Sequence, residues 1–398
     1  MNISISTLRS ALKYNSDFEK QQQIFLESIE KQLNLPLKTT ALDDYDCDLK
    51  LIFVQTGGVE GLFLKNFDKL QPPYYILTNG SNNSLAASME ILTYLKNKDL
   101  DGEIIHGNIE HISRRIMQLC NISSARKKLA SMRLGIIGKP SDWLISSVPD
   151  YGNVSKLFGT EITDIALSEL EESAKTHHST DKQLTSDVFD AETLQNSLDV
   201  YEGIKQIVKK YRLDGFTLRC FDLLGSIKMT GCMALAFFNS EKVVAACEGD
   251  LMALLSMSVM HCLTGQSSFQ ANPSKIDTAA NDIVLAHCTL PLDMTESYRL
   301  DTHFESGIGV AVKGELRKQE VTVLRLSSDL KHYFLSKGTI TENLHDCNLC
   351  RTQIKVHLDS DVKLLLNRPC GNHHIVCYGD HCDETENFLN SYGLVRIG

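Results

Sequence analysis

No apolar run in this chain of 398 residues approaches the ~20 residues that span a bilayer, so no membrane partner is expected. The N-terminal stretch MNISISTLRSALKYNSDFEK has no apolar core of the kind a secretory signal carries. Positive charge is in deficit, with 40 basic side chains against 50 acidic ones and a formal net charge of −10. Such a surface does not hold phosphates by counterion release, which argues against nucleic acid as a general partner. Internal repeats and low-complexity tracts are missing too. Hydrophobic residues at 42% and charged residues at 23% are those of a globular protein, not a fibrous or disordered one. Neither GxGxxG nor a P-loop occurs. The turns at Gly57-Gly58 and Gly135–Gly138 follow strands but read as ordinary strand–helix turns.

Cysteine is plentiful by contrast, at twelve residues. Cys220, Cys247 and Cys288 sit inside apolar runs, which reads as reduced, partly buried thiols in a cytoplasmic protein rather than a disulfide framework. Cys347 and Cys350 form a CxxC that, with Cys370, Cys377 and Cys382, offers zinc as an alternative. The second half lacks its own CxxC, so free thiols are the preferred reading.

Short β-branched runs alternate with amphipathic stretches through the first two thirds of the chain. Strands are predicted at residues 49–54, from Tyr74 to about Asn79, at 102–107 and from Arg133, with a helix opening at Asn83 or Ser84. The stretch from Ser173 to Asp187 is polar and loop-like, and a long helix follows from Ala191 to Tyr211. Two more strands lead to the apolar segment LMALLSMSVMHCLTG, a helix that Gly265 should stop. Beyond it come closely spaced strands with little helical pattern. The expected fold is α/β: two Rossmann-like parallel-sheet domains (1–124 and 125–265) and a mainly antiparallel β domain (266–398).

The strongest chemical candidate is Glu248, where a buried strand ends and a helix begins. In open parallel sheets ligands bind at the carboxyl ends of strands. Glu248 and Asp250 lie two residues apart there. Buried carboxylates are costly unless they bind a cation or do acid–base work. Capping explains Asp250 alone. His287 ends a strand, and His373 and His374 begin one, where alternation sends the two to opposite faces. Glu with His is a common divalent-metal set. Arg219 reads equally as a pocket wall or an ordinary ion-pair residue.

Around these residues the sequence resembles the L-fucose/L-arabinose isomerase superfamily, specifically its shorter fucose-isomerase-like members. The blocks CEGDLMALLSMSVMHCLTG (247–265), NDIVLAHCTLP (281–291), DTHFESGIGV (301–310) and GNHHIVCYGDH (371–381) carry the likeness, with TGGVEGLF near Thr56 and NSLAASMEIL near Asn83. The resemblance implies two Rossmann-like domains, a β-rich C-terminal domain and a homo-oligomer, trimer or hexamer. It also implies aldose–ketose isomerisation of a small sugar with a divalent metal, usually Mn2+. On this basis Glu248 and His373 match metal ligands, with Glu248 also active in proton transfer, and His287 matches the histidine of the arabinose branch. Arg219, His303, Glu305 and His374 would contact substrate.

The sequence departs from that pattern at Asn272, which stands where the family has a second metal carboxylate. A neutral amide is a weaker ligand and no base. Asp250, or Asp277 if residues 273–276 fold back, would then complete the catalytic set. The alternative is a non-catalytic sugar-binding or regulatory relative. Aldolase or epimerase chemistry is a third option.

Overall fold

The computed structural model describes residues 1–11, 16–180 and 182–398. Asp181, in the stretch expected to be a polar loop, lies outside them, as do residues 12–15 of the N-terminal stretch. The chain packs as two compact units, Met1–Ser124 and Ala125–Gly398.

The first unit comprises β1 (Ile3–Leu8), α1 (Ser16–Leu33), β2 (Leu37–Thr39), β3 (Leu49–Val54), α2 (Glu60–Lys65), β4 (Tyr74–Leu77), α3 (Ser84–Lys96) and β5 (Gly102–Ile105). Helix α4 (Ile109–Ser131) runs across the division into the second unit. All strand pairs are parallel, in the order β2-β1-β3-β4-β5. Every residue of β3 is buried, as a continuous apolar run in a sheet covered on both faces requires. The first strand and first helix escaped the sequence reading, because ISISTL alternates serine with apolar residues. Those serines are nonetheless buried: Ser4 and Ser6 lie in the interior beside Ile3 and Ile5.

The second unit begins with β6 (Arg133–Ile137), α5 (Tyr151–Phe158), β7 (Glu161–Ile165), α6 (Leu167–Thr176), α7 (Ala191–Tyr211), β8 (Gly215–Leu218), α8 (Asp222–Ser226), α9 (Cys232–Ser240), β9 (Val244–Cys247) and α10 (Leu251–Thr264). Its strands form a second parallel sheet, ordered β7-β6-β8-β9. Helix α6 takes in residues 173–176, where a loop was expected. Helix α7 has the predicted bounds. The Asp190 side chain accepts from Thr193 N at its start, and Lys209 and Lys210 sit in its last turn. Helix α10 is apolar on every side and ends, as expected, at left-handed Gly265.

Mainly antiparallel strands follow, with two short helices between them: β10 (Phe269–Asp277), β11 (Asp282–His287), β12 (Thr295–Asp301), β13 (Ala311–Leu316), β14 (Glu320–Leu326), β15 (His332–Asn343), β16 (Thr352–Leu358), α11 (Lys363–Asn367), β17 (His374–Tyr378), α12 (Cys382–Asn390) and β18 (Val395–Arg396), which joins β15 in parallel. The ladder runs β14-β17-β10-β11-β16-β15, and β14 pairs with β15 to close it into a barrel. Closure leaves those strands no open edge. The two-parallel-sheets-plus-β architecture is therefore the one expected. Residue 265 separates two kinds of sheet inside one core. A single apolar cluster runs from Ile137 and Phe216 through Phe269, Leu285 and Val356 to Ile397. No helix among the described residues is long and apolar enough to cross a membrane.

Phe216 is fully buried in that cluster, edge-on to Phe238 with ring centroids 5.1 Å apart. Phe216→Ala should lower the unfolding free energy by ~3–5 kcal/mol, measured by urea denaturation. A loss below ~1 kcal/mol would show that this cluster is not the shared core.

Candidate metal centre

Strand β9 delivers Glu248 to the site in a left-handed conformation, φ +65°, and Gly249 follows at φ +70°. A non-glycine residue there is strained, and such strain collects at functional sites. Gly249 has a second reason to be glycine. A Cβ on it would lie 2.6 Å from Lys139 O and 2.7 Å from Pro140 Cα. The turn is held from outside: Ser141 N donates to Glu248 O at 2.9 Å, and Gln270 Oε1 of β10 accepts from Cys247 N at 2.8 Å. Asp250 then caps α10, accepting from Ala253 N at 2.8 Å.

The barrel supplies the histidines. His287 is the last residue of β11, and His373 immediately precedes β17. Glu248 Oε1 lies 3.7 Å from His287 Nε2 and 3.5 Å from His373 Nε2. One ligand atom from each of the three residues falls within 4.8 Å of the others, and all three are buried. His287 Nδ1 is occupied by Thr289 Oγ1 at 3.0 Å, which leaves Nε2 toward Glu248. Burial works against a charged Glu248, but the two imidazoles outweigh it and hold the carboxyl well below the usual range.

Behind His373 stands a fully buried ionic chain. Its Nδ1 lies 2.8 Å from Asp250 Oδ2, and the same oxygen accepts from Arg325 Nη1 at 2.9 Å. Arg325 also donates from Nη2 to Ser147 Oγ at 2.9 Å. Burial disfavours the Asp250 charge, yet Arg325 and His373 keep its pKa down at about 2. A carboxylate on one imidazole nitrogen fixes the tautomer and leaves the other nitrogen as a metal donor. His373 Nε2 is buried with no hydrogen-bond partner among the described residues. A buried ring nitrogen without a hydrogen-bond partner, beside a carboxylate and a second imidazole, is what a divalent cation would satisfy, so the residues present fit the group.

The remaining sequence candidates divide. Asn272 lies on β10, whose neighbours Ala271 and Asn272 pair with His374 and Ala286. Its Oδ1 is another buried atom without a hydrogen-bond partner among the described residues. His303 is buried edge-on to Phe221, ring centroids 5.1 Å apart. Burial, reinforced by His287 and Arg351, lowers its pKa to about 4.

The structure places the other sequence candidates as follows. Asp250 is bonded to Arg325, His373 and the start of α10. Residues 273–276 do not fold back: they continue β10, which bends only at a bulge between Pro273 and Lys275. Asp277 therefore ends in an exposed turn, accepting from Ala279 N and Ala280 N. His374 is sealed in the interior against Phe334, where burial keeps it neutral with a pKa of about 4. Glu305 faces solvent. Arg219 is held by Asp222 at 2.8 Å and Asp142 at 3.0 Å. It lines an open crevice of about 850 Å³ whose walls include neither Glu248 nor either histidine. Among the described residues no metal-competent group includes Cys347, Cys350, Cys370, Cys377 or Cys382. Among the described residues the metal-competent cluster is Glu248, His287 and His373.

Two site residues were missed. Arg325 shares a face of β14 with the buried Val321 and Val323, where an apolar residue is expected, and the buried Asp250 explains it. Trp143 donates from Nε1 to Glu248 Oε2 at 2.6 Å. Being the chain's single tryptophan was its one signal.

No protein-family model matches the chain. It is 22% identical over 271 residues to sulfoquinovose isomerase of Alkalicoccus urumqiensis, covering 64% of this chain and 61% of the relative. It is 22% identical over 262 residues to that of Priestia megaterium, covering 62% and 59%. A Clostridium protein of the same name is 24% identical over 193 residues, covering 45% and 42%. The matches thus span about three fifths or less of the length of these relatives.

Arg325→Met would leave Asp250 charged and buried without its strongest partner. The expected cost is ~3–5 kcal/mol, read from the denaturation midpoint. A variant as stable as the parent would show that the Asp250 charge is not held by Arg325.

Proposed function

We propose that the protein is a divalent-metal-dependent aldose–ketose isomerase of the fucose/arabinose isomerase type. The observation that carries this reading is the buried Glu248–His287–His373 cluster with its orphan His373 Nε2. The similarity to sulfoquinovose isomerases supports it and suggests the substrate: sulfoquinovose, or another aldohexose modified at C6. A metal, Mn2+ by the family pattern, would be held by Glu248, His287 and His373, with Asn272 Oδ1 as a neutral fourth donor. When bound it would polarise two adjacent sugar oxygens and acidify the C–H between them.

The chain's own groups then fix the proton path. Asp250 is committed and Asp277 points to solvent, so Glu248 is the carboxylate left to act as base. It takes the proton from C2 and returns it to C1 on the same face of a cis-enediol, while the hydroxyl proton on O2 passes to O1. His303 and Phe221 form a wall near the cluster. His287 and His373 have Nδ1 occupied and so present only Nε2 to the site. By the family pattern the protein works as a trimer or hexamer in the cytoplasm.

The test is turnover of sulfoquinovose, L-fucose and L-arabinose with Mn2+ and after chelation. Activity should need metal and should fall ~10²–10⁴-fold in Glu248→Gln, the usual scale for loss of a catalytic base. Full activity in that variant overturns the reading.

Asn272 favours a second reading, a sugar-binding relative without catalysis, because an amide replaces the second carboxylate. Sugar binding without turnover in the parent, together with turnover in Asn272→Asp, would establish it.

A further inference from the structure

The loop 138–150, between β6 and α5, touches the cluster's supports at three points. Ser141 N holds the Glu248 carbonyl, Trp143 Nε1 holds the Glu248 carboxylate, and Ser147 Oγ accepts from Arg325, which in turn holds Asp250 and His373. The Trp143 contact divides the two carboxylate oxygens. Oε2 receives the indole N–H at 2.6 Å, whereas Oε1 faces His287 Nε2 and His373 Nε2 at 3.7 and 3.5 Å. The indole is itself held edge-on to Phe221, ring centroids 5.0 Å apart, although 51% of its residue surface remains exposed.

Exposure of that size means burial does not account for Trp143 being here. A leucine would fill the same space against Phe221 but could not donate to a carboxylate. Glu248 needs such a donor. Its backbone is left-handed and its side chain has rotatable bonds, so nothing local fixes which oxygen turns toward the imidazoles. A charge-assisted hydrogen bond to Oε2 does so before any cation arrives.

Resting on the metal reading above, we infer that Trp143 is a positioning residue of the centre. It presents Glu248 as a ligand through Oε1 alone and ties the loop 138–150 to the bound state.

Trp143→Phe keeps a ring against Phe221 and removes only the donor. Calorimetric titration with Mn2+ should show affinity weakened ~10–100-fold, the usual cost of losing a hydrogen-bond partner of a metal ligand. The melting temperature of the metal-free variant should match the parent's. In the parent, emission from this single tryptophan should change on adding Mn2+, with the calorimetric midpoint. Parent-like Mn2+ affinity in Trp143→Phe overturns the inference. So does a lowered metal-free melting temperature accompanying weaker affinity, which would mean the indole merely folds the loop. A parent that takes up no Mn2+ overturns the metal reading and this inference with it. Metal uptake without an emission change overturns the inference alone.

Discussion

A carboxylate with no exposed surface cannot stay charged in a protein interior without strong compensation, and Asp250 is such a group. Three partners compensate it: the first turn of α10, the Arg325 guanidinium and the His373 imidazole. Each comes from a different part of the second unit. The helix follows the parallel sheet, Arg325 belongs to β14 of the barrel, and His373 leads into β17. One buried charge therefore fixes the junction between two unlike sheets. Replacing it with an apolar group would leave Arg325 as a buried charge without a counter-charge.

That junction explains why α10 is apolar all round. It packs on β8 and β9 on one side and on β14 and β17 on the other, so no face is left to solvent, and its serines, Ser256 and Ser258, are buried with the rest. A tight Glu248–Gly249 turn at its start lets the chain pass from strand to helix against Pro140. The strain of the left-handed Glu248 is offset by the bonds from Ser141 and Trp143.

The sequence showed this architecture well where periodicity is governed by burial. Strand β3, helix α7 and the stop at Gly265 were legible because apolar spacing and capping residues coincide there. Strand β1 was not, because buried serine looks like surface serine in a sequence. Glu248, His287 and His373 could be picked out as polar residues at the ends of apolar strands. Their supports could not. Arg325 lies on the face of β14 that carries the buried Val321 and Val323, and the partner that accommodates its charge there, Asp250, is 75 positions away. The same blindness made Asp250 look like a reactive acid and Asp277 like a possible recruit. Whether a carboxylate is free or committed depends on contacts that spacing does not encode.

The three cluster residues come from the end of one parallel strand and from two strands of the barrel, spread over more than a hundred positions of chain. A segment ending after α10 would have both parallel sheets and Glu248 but neither histidine. Competence to hold a cation therefore requires the parallel sheet and the barrel to be packed together. Partly folded chains offer scattered side chains to whatever ions are abundant, and only the finished core offers three aligned ones. A cation that bound the finished state alone would add RT ln(1 + [M]/Kd) to its stability, and metal supply would then be a lever on how long the molecule lasts, separate from any turnover.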